Sequence, residues 1–221
     1  MTKKDVRIFG LAGVASFALI IIAAVISPPL WDGPTTTSTA EEVAAFVAPH
    51  RDRILLALFV YALGMGFFLW FTAGLWAWLR QSEPGAGPWS AAFALGVAVL
   101  ATLIVAAFVP AALSVYRPPE PDIVGLMFDL SFGLLALSGV PTAVALGAYA
   151  VLVLRGAGLA RWTAWVAIVG AATHVVIAGS FFPRSGFFSL QGAVIVWIPA
   201  TFFAWILAAS IALLRAQPSE D

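Results

Sequence analysis

Leu19-Ile20-Ile21-Ile22-Ala23-Ala24-Val25-Ile26 is an unbroken apolar run, with neither the alternation of a half-buried strand nor a polar face. It sits inside a longer interval, from Arg7 to Asp32, that holds no Asp, Glu, Lys or Arg. Similar intervals run from Arg53 to Arg80, Glu83 to Arg117, Arg161 to Arg184 and Arg184 to Arg215. A sixth, from Asp122 to Arg155, is interrupted only by Asp129. Each supplies the ~20 apolar residues that a helix needs to cross ~30 Å of hydrocarbon. In lipid every backbone N–H and C=O must be satisfied within the structure, and continuous runs of this kind favour helices over barrel strands. The reading is an all-α integral membrane protein: a six-helix bundle of up-down topology in one transmembrane domain over 1–221, with spans near 8–27, 54–79, 90–115, 123–154, 162–182 and 187–214.

Composition agrees. Of 221 residues 62% are hydrophobic and 10% charged, against about 25% charged in ordinary soluble domains, and mean hydropathy is +1.01. Formal net charge is zero, so no electrostatic footprint marks a nucleic-acid partner. The absence of cysteine excludes disulfides, zinc–thiolate sites, iron–sulfur clusters and thiol catalysis. Lys3, Lys4 and Arg7 resemble the n-region of a secretory signal. The apolar run that follows exceeds the usual 7–15 residues and ends in Ser27-Pro28-Pro29 without a small-x-small site, so a retained first helix is expected.

Orientation follows the distribution of Lys and Arg. With the N-terminus inside, the cytoplasmic segments hold seven (Lys3, Lys4, Arg7, Arg80, Arg155, Arg161, Arg215) and the exterior four (Arg51, Arg53, Arg117, Arg184). Both termini are thus expected on the cytoplasmic face of a bacterial inner membrane. Trp76, Trp78, Trp89, Trp162 and Trp165 would then form an aromatic belt at that interface.

The first connection alone is long enough to carry structure. Asp32-Gly33-Pro34 reads as a turn and Thr35–Thr37 as a polar stretch, while Thr39-Ala40-Glu41-Glu42 fits a capping box. Val43, Phe46 and Val47 recur at helical spacing and Pro49 ends the run, so a short amphipathic helix on the outer membrane surface is expected, the alternative being a solvated loop. Connections such as Ser82-Glu83-Pro84-Gly85-Ala86-Gly87-Pro88 and Arg155-Gly156-Ala157-Gly158 are tight, which makes successive helices antiparallel neighbours. Pro141 and Pro199 predict bends in the fourth and sixth spans, and Gly64-Met65-Gly66 marks a possible break at similar depth in the second. Pro110 lies towards the outer end of the third. Paired breaks are a transporter signature, but no halfway sequence repeat accompanies them.

Five polar residues stand out as candidate ligand-binding groups: Asp129, His174, Gln191, Tyr61 and Arg184. Asp129 is either a buried functional carboxylate or, because its span is too long for the hydrocarbon, an interfacial one. His174 shares a seam of small residues with Ala164, Ala167, Ala171 and Ala178, so it should face the bundle, as an interhelical hydrogen bonder or as a proton-handling or ligand-binding imidazole. Gly139, Ala143 and Gly147 suggest a matching seam on the fourth span. The shared depth of the five groups predicts a cavity open to the outside or to the outer leaflet. Bis-histidine haem lacks a second intramembrane histidine, since His50 is in the first connection, and no GxxxxGK[ST], HExxH or GxSxG motif occurs. No cofactor and no metal site is expected.

Thr39-Ala40-Glu41-Glu42-Val43-Ala44-Ala45-Phe46 leading to His50-Arg51, together with Leu154-Arg155, Leu159-Ala160-Arg161-Trp162 and Trp165, resembles an uncharacterised bacterial multi-pass membrane-protein family, a domain of unknown function. The family pattern has proline where Ala160 stands. The resemblance implies a six-helix inner-membrane protein and brings no activity or catalytic residues. The leading functional reading is therefore a non-catalytic membrane protein whose partners are the lipid bilayer and a small apolar ligand or a membrane-protein partner. A secondary transporter or permease is one alternative. An intramembrane enzyme acting on a lipid or isoprenoid, with Asp129 and His174 as its chemical groups, is the other.

Overall fold

The computed structural model describes residues 1–28, 33–83, 87–116 and 120–216. Pro29, Asp32, Pro84, Gly85, Ala86 and Arg117, which enter the readings above, lie outside the described residues. Within them the chain forms helices α1 (Lys3–Ile26), α2 (Ala40–Val47), α3 (Arg51–Gln81), α4 (Pro88–Tyr116), α5 (Pro121–Leu137), α6 (Gly139–Leu154), α7 (Trp162–Ala178), α8 (Ala193–Trp197) and α9 (Pro199–Arg215), with no strand. Among the described residues six helical segments are long and apolar enough to cross a membrane: α1, α2 with α3, α4, α5 with α6, α7 with the 3₁₀ turn that follows it to Phe181, and α8 with α9. The protein is a multi-pass membrane protein.

The crossings form a closed ring. Each packs on its successor, and α9 returns to pack on α1, which itself lies against α3. Lipid tails are as apolar as leucine, so close packing has to hold such a ring together. The chain uses small residues where helices meet. A Cβ on Gly74 would stand 2.1 Å from the Phe9 ring, and one on Gly13 would fall 2.7 Å from Phe71 and against the Ser210 hydroxyl. The axis of the half nearer the chain ends is filled by Phe68, Phe71, Phe93, Tyr149, Phe202 and Trp205. Tyr149 meets Trp205 edge-on at 5.4 Å and Phe202 stacks on it at 5.7 Å. Such pairs contribute ~0.5–1.5 kcal/mol each beyond their area.

A second core fills the opposite half: Val43, Val47, Val115, Val124, Phe128, Phe132, Ile177 and Val194. Here α2 is a finding as well as an expectation. Its capping box is present, with Glu42 N–H donating to Thr39 Oγ1 and Thr39 N–H donating to the Glu42 carboxylate at 2.8 Å. Its apolar face, however, is turned onto α5 rather than onto lipid: Val43 and Val47 are buried against the bundle. Protein side chains supply the cover that the sequence reading assigned to the membrane surface.

Several boundaries shift for local reasons. The first span begins at Lys3, earlier than expected, because Thr2 and Asp5 form a capping box around the charged first turn. Arg53 reaches the other end of α1 and donates to the Ile26 and Ser27 carbonyls at 3.0 and 3.2 Å, placing a cation at a helix C-terminus. The sixth span starts at Ala193 instead of 187, since Gly186 takes φ +86° and the Ser189 hydroxyl closes a turn on its carbonyl. Gly64-Met65-Gly66 does not break α3, which runs straight through with Gly64 packed on Ile20. The predicted α6 seam holds at Gly139 and fails at Gly147, where a Cβ would meet nothing within 4 Å. Of the five belt tryptophans four are exposed, while Trp78 is turned inward and donates to the Ala157 carbonyl at 2.7 Å.

At the same end Glu83 caps α4, its carboxylate accepting from the Trp89 and Ser90 N–H groups at 3.0 and 2.9 Å. Desolvation pushes its carboxyl up. The hydrogen bonds from Ser90 and Trp89, with the Arg80 guanidinium, outweigh that and hold it below the usual carboxylate range.

Candidate functional site

Two of the five candidate residues meet directly. Asp129 lies eight residues into α5, ~12 Å from its start, and Gln191 is brought to it by the turn that precedes α8. Gln191 Nε2 donates to Asp129 Oδ1 at 2.5 Å. Counting ~1.5 Å per residue back from Leu154 puts Asp129 ~38 Å from the other end of its crossing, beyond ~30 Å of hydrocarbon. Its side chain is exposed on the surface of the bundle. Gln191 is only 7% exposed. With Nε2 committed to a carboxylate that can only accept, its Oε1 must point the other way. That oxygen is buried and has no hydrogen-bond partner among the described residues. The pair therefore offers two acceptors, a carboxylate and an orphan amide carbonyl, beside the apolar core under α2.

The other three candidates occupy separate places. Tyr61 is half-buried between α3 and α4, its ring 6.0 Å from Phe108. Arg184 is exposed, and its backbone carbonyl accepts from Thr36 Oγ1 at 2.6 Å, which ties the fifth connection to the first. His174 is 5% exposed on α7, as its seam requires, and its Nδ1–H donates to the Gly170 carbonyl at 2.8 Å. Its ring lies edge-on to Phe202 at 5.8 Å.

His174 stands where two helix breaks converge. The fourth crossing breaks at Ser138, between α5 and α6; Pro141 has no N–H to return to the preceding turn. At this break Gly139 lies so close to α7 that a Cβ on it would stand 2.3 Å from the His174 carbonyl oxygen. The sixth crossing breaks at Ile198, before Pro199, and Thr201 Oγ1 comes within 3.0 Å of Thr173 Oγ1 on α7. Each of these hydroxyls also donates to a backbone carbonyl, Thr201 to Ile198 at 2.8 Å and Thr173 to Val169 at 2.9 Å. Thr173 Oγ1 is also 3.0 Å from the Gly170 carbonyl, so two protons face four contacts. Thr142 completes the group by donating to the Ser138 carbonyl at 2.7 Å.

Thr142, Thr173 and Thr201 were not among the sequence candidates. Threonines on apolar helices commonly satisfy themselves on the preceding turn; the available signal was that Thr142 and Thr201 directly follow the two prolines or lie one residue beyond. Among the described residues no group of three or more His, Asp or Glu is placed to hold a metal ion. No protein-family model, no curated protein and no solved structure matches the chain.

Proposed function

We propose that this membrane protein is a non-catalytic binder of a small, mainly apolar ligand carrying a hydrogen-bond donor, taken up at the Asp129–Gln191 pair. The buried, unpartnered Gln191 Oε1 carries this reading. An orphan acceptor of this kind costs ~1–3 kcal/mol, which a donor group on a ligand would recover. The carboxylate beside it favours a cationic or hydroxyl head over an anionic one. Thermal stability of the purified protein should rise with hexylamine, less with hexanol and not with hexanoate. Asp129→Leu and Gln191→Leu should each remove the response to hexylamine. Equal effects of amine and carboxylate, or an unchanged response in both variants, would count against the site.

The proposal includes a bacterial inner-membrane location with both chain ends in the cytoplasm, supported by the Lys and Arg asymmetry. The cysteine-free chain makes the test clean. In intact cells a membrane-impermeant maleimide should label Ser38→Cys and leave Lys4→Cys unlabelled until lysis, and the reverse pattern would invert the topology.

A second reading, a secondary transporter, is favoured by the two breaks meeting at Thr173 and His174. It requires gradient-dependent flux of the same hexylamine probe into proteoliposomes, abolished in His174→Ala. Binding without flux leaves the first reading standing.

A further inference from the structure

Where α1 begins and α9 ends, residues of the two helices line an open cleft of about 610 Å³. Its rim carries Lys4, Arg7 and Arg215, with Lys3 adding a further cation, and its wall carries Ile8, Leu11 and Leu214. No acidic residue lines it among the described residues, and the carboxylate of nearby Asp5 is engaged by Thr2 in the α1 capping box. A smaller cleft of about 230 Å³, which includes Trp162, adjoins it across Arg215.

The order of chemistry along the cleft is specific. On α1 two of the cations are followed one turn deeper by an apolar side chain on the same face, Lys4 by Ile8 and Arg7 by Leu11. The charged rim and the apolar wall are thus separated along the helix axis, Lys4 to Leu11 spanning ~10 Å. A free phosphate would use only the rim and a hydrocarbon only the wall. A phospholipid with net negative charge uses both, at heights that match its own order from headgroup to acyl chain.

We propose that this cleft binds an anionic phospholipid, with the phosphodiester against Lys4, Arg7 and Arg215 and an acyl chain along Ile8, Leu11 and Leu214. Each Lys or Arg near an anionic headgroup contributes about fivefold in affinity, so three together account for up to about a hundredfold. The test titrates the purified full-length protein in neutral detergent with dioleoyl phosphatidylglycerol and with dioleoyl phosphatidylcholine, reading bound lipid by native mass spectrometry. Expected is a preference for phosphatidylglycerol that falls as salt rises, is lost at least tenfold in Lys4→Gln/Arg7→Gln/Arg215→Gln, and survives in Arg51→Gln at the opposite face. Millimolar inorganic phosphate should not displace the lipid. Equal binding of the two lipids, a preference indifferent to salt, or its persistence in the triple variant would overturn the assignment. Displacement by inorganic phosphate would show a simple anion site and overturn it equally. The salt series on the unmodified protein decides the matter even if the triple variant does not fold.

Discussion

Replacing Gly139 by alanine tests the junction on which the arrangement around His174 rests. The added Cβ would lie 2.3 Å from the His174 carbonyl oxygen and 3.2 Å from the Ala178 nitrogen, both backbone atoms that no rotamer change can move aside. An ordinary carbon–oxygen contact is roughly 1 Å longer, so α6 has to withdraw from α7 by about that amount at the break. The same interface is filled one to two turns deeper by Leu146, seated against Gly170, where a Cβ would be 2.7 Å from Leu146 Cδ1. A gap of 0.5–1 Å forfeits about a quarter to a half of each dispersion well along such a face. Overpacking of this kind costs ~1–3 kcal/mol. At about 2–4 °C per kcal/mol for a chain of this size, Gly139→Ala should melt roughly 2–12 °C below the parent. Gly147→Ala, in the same helix with nothing within 4 Å, isolates the helix-propensity contribution and should be neutral or stabilising by up to about 1 kcal/mol. Melting of both variants in one detergent, followed by tryptophan fluorescence, gives the comparison. Coincident melting temperatures for the two alanine variants would refute the close α6–α7 approach, and with it the placement of His174 beside the break.

Three further substitutions address other parts of the molecule. Thr39→Ala removes the α2 capping box and should cost ~0.5–2 kcal/mol, seen as faster amide exchange over Ala40–Val47 with the spans unaffected. Glu83→Gln should lower stability at neutral pH. Because the folded carboxyl is held below its ordinary range, its contribution is present above the unfolded pKa and is lost as pH falls through the folded value, so the melting curves of parent and variant should converge only in acid below that folded value; a constant offset would refute the capping role. Tyr149→Phe should destabilise by about 1 kcal/mol. Thr163 already spends its proton on the Ala160 carbonyl at 2.8 Å, so Tyr149 is the donor in their 2.7 Å contact; Thr163→Val should then cost no less than Tyr149→Phe.

What the sequence disclosed follows from what lipid forbids. Charge is excluded from hydrocarbon, so the gaps between charges locate six crossings to within a few residues, and Pro141 and Pro199 lie at two helix breaks, whereas Pro110 is carried inside α4 without one. Glycine permits a bend without imposing one, and Gly64 instead lets α3 lie against Ile20 without kinking. The start of the sixth crossing was misread because Phe187, Phe188 and Leu190 have membrane-like hydropathy, whereas Gly186 and Ser189 commit that stretch to turns. Pairings across the fold were out of reach. Asp129 and Gln191 are 62 positions apart, and Thr173 and Thr201 are separated by 28, so their meeting depends on the packing of the ring and not on any local pattern.

The two halves of the bundle differ in how their interiors are filled. Towards the end covered by α2 lie the orphan Gln191 carbonyl, the buried Ser180 hydroxyl and the over-subscribed Thr173–Thr201 contact; the Ser16 hydroxyl and the Trp205 indole N–H are also buried without a partner among the described residues. The half nearer the chain ends has its axis closed by interlocked aromatic rings. Phe202 belongs to both, touching His174 on one side and Phe68 and Trp205 on the other. Trp205 is fully buried and its indole N–H has no partner among the described residues, a cost of ~1–3 kcal/mol that only the surrounding packing sustains. On the transport reading, passage from the α2 end to the face bearing Arg215 would require Phe202 and Trp205 to turn out of the aromatic axis. Binding at the Asp129–Gln191 pair requires no such movement, so the aromatic pair, more than the polar residues, separates the two proposed readings.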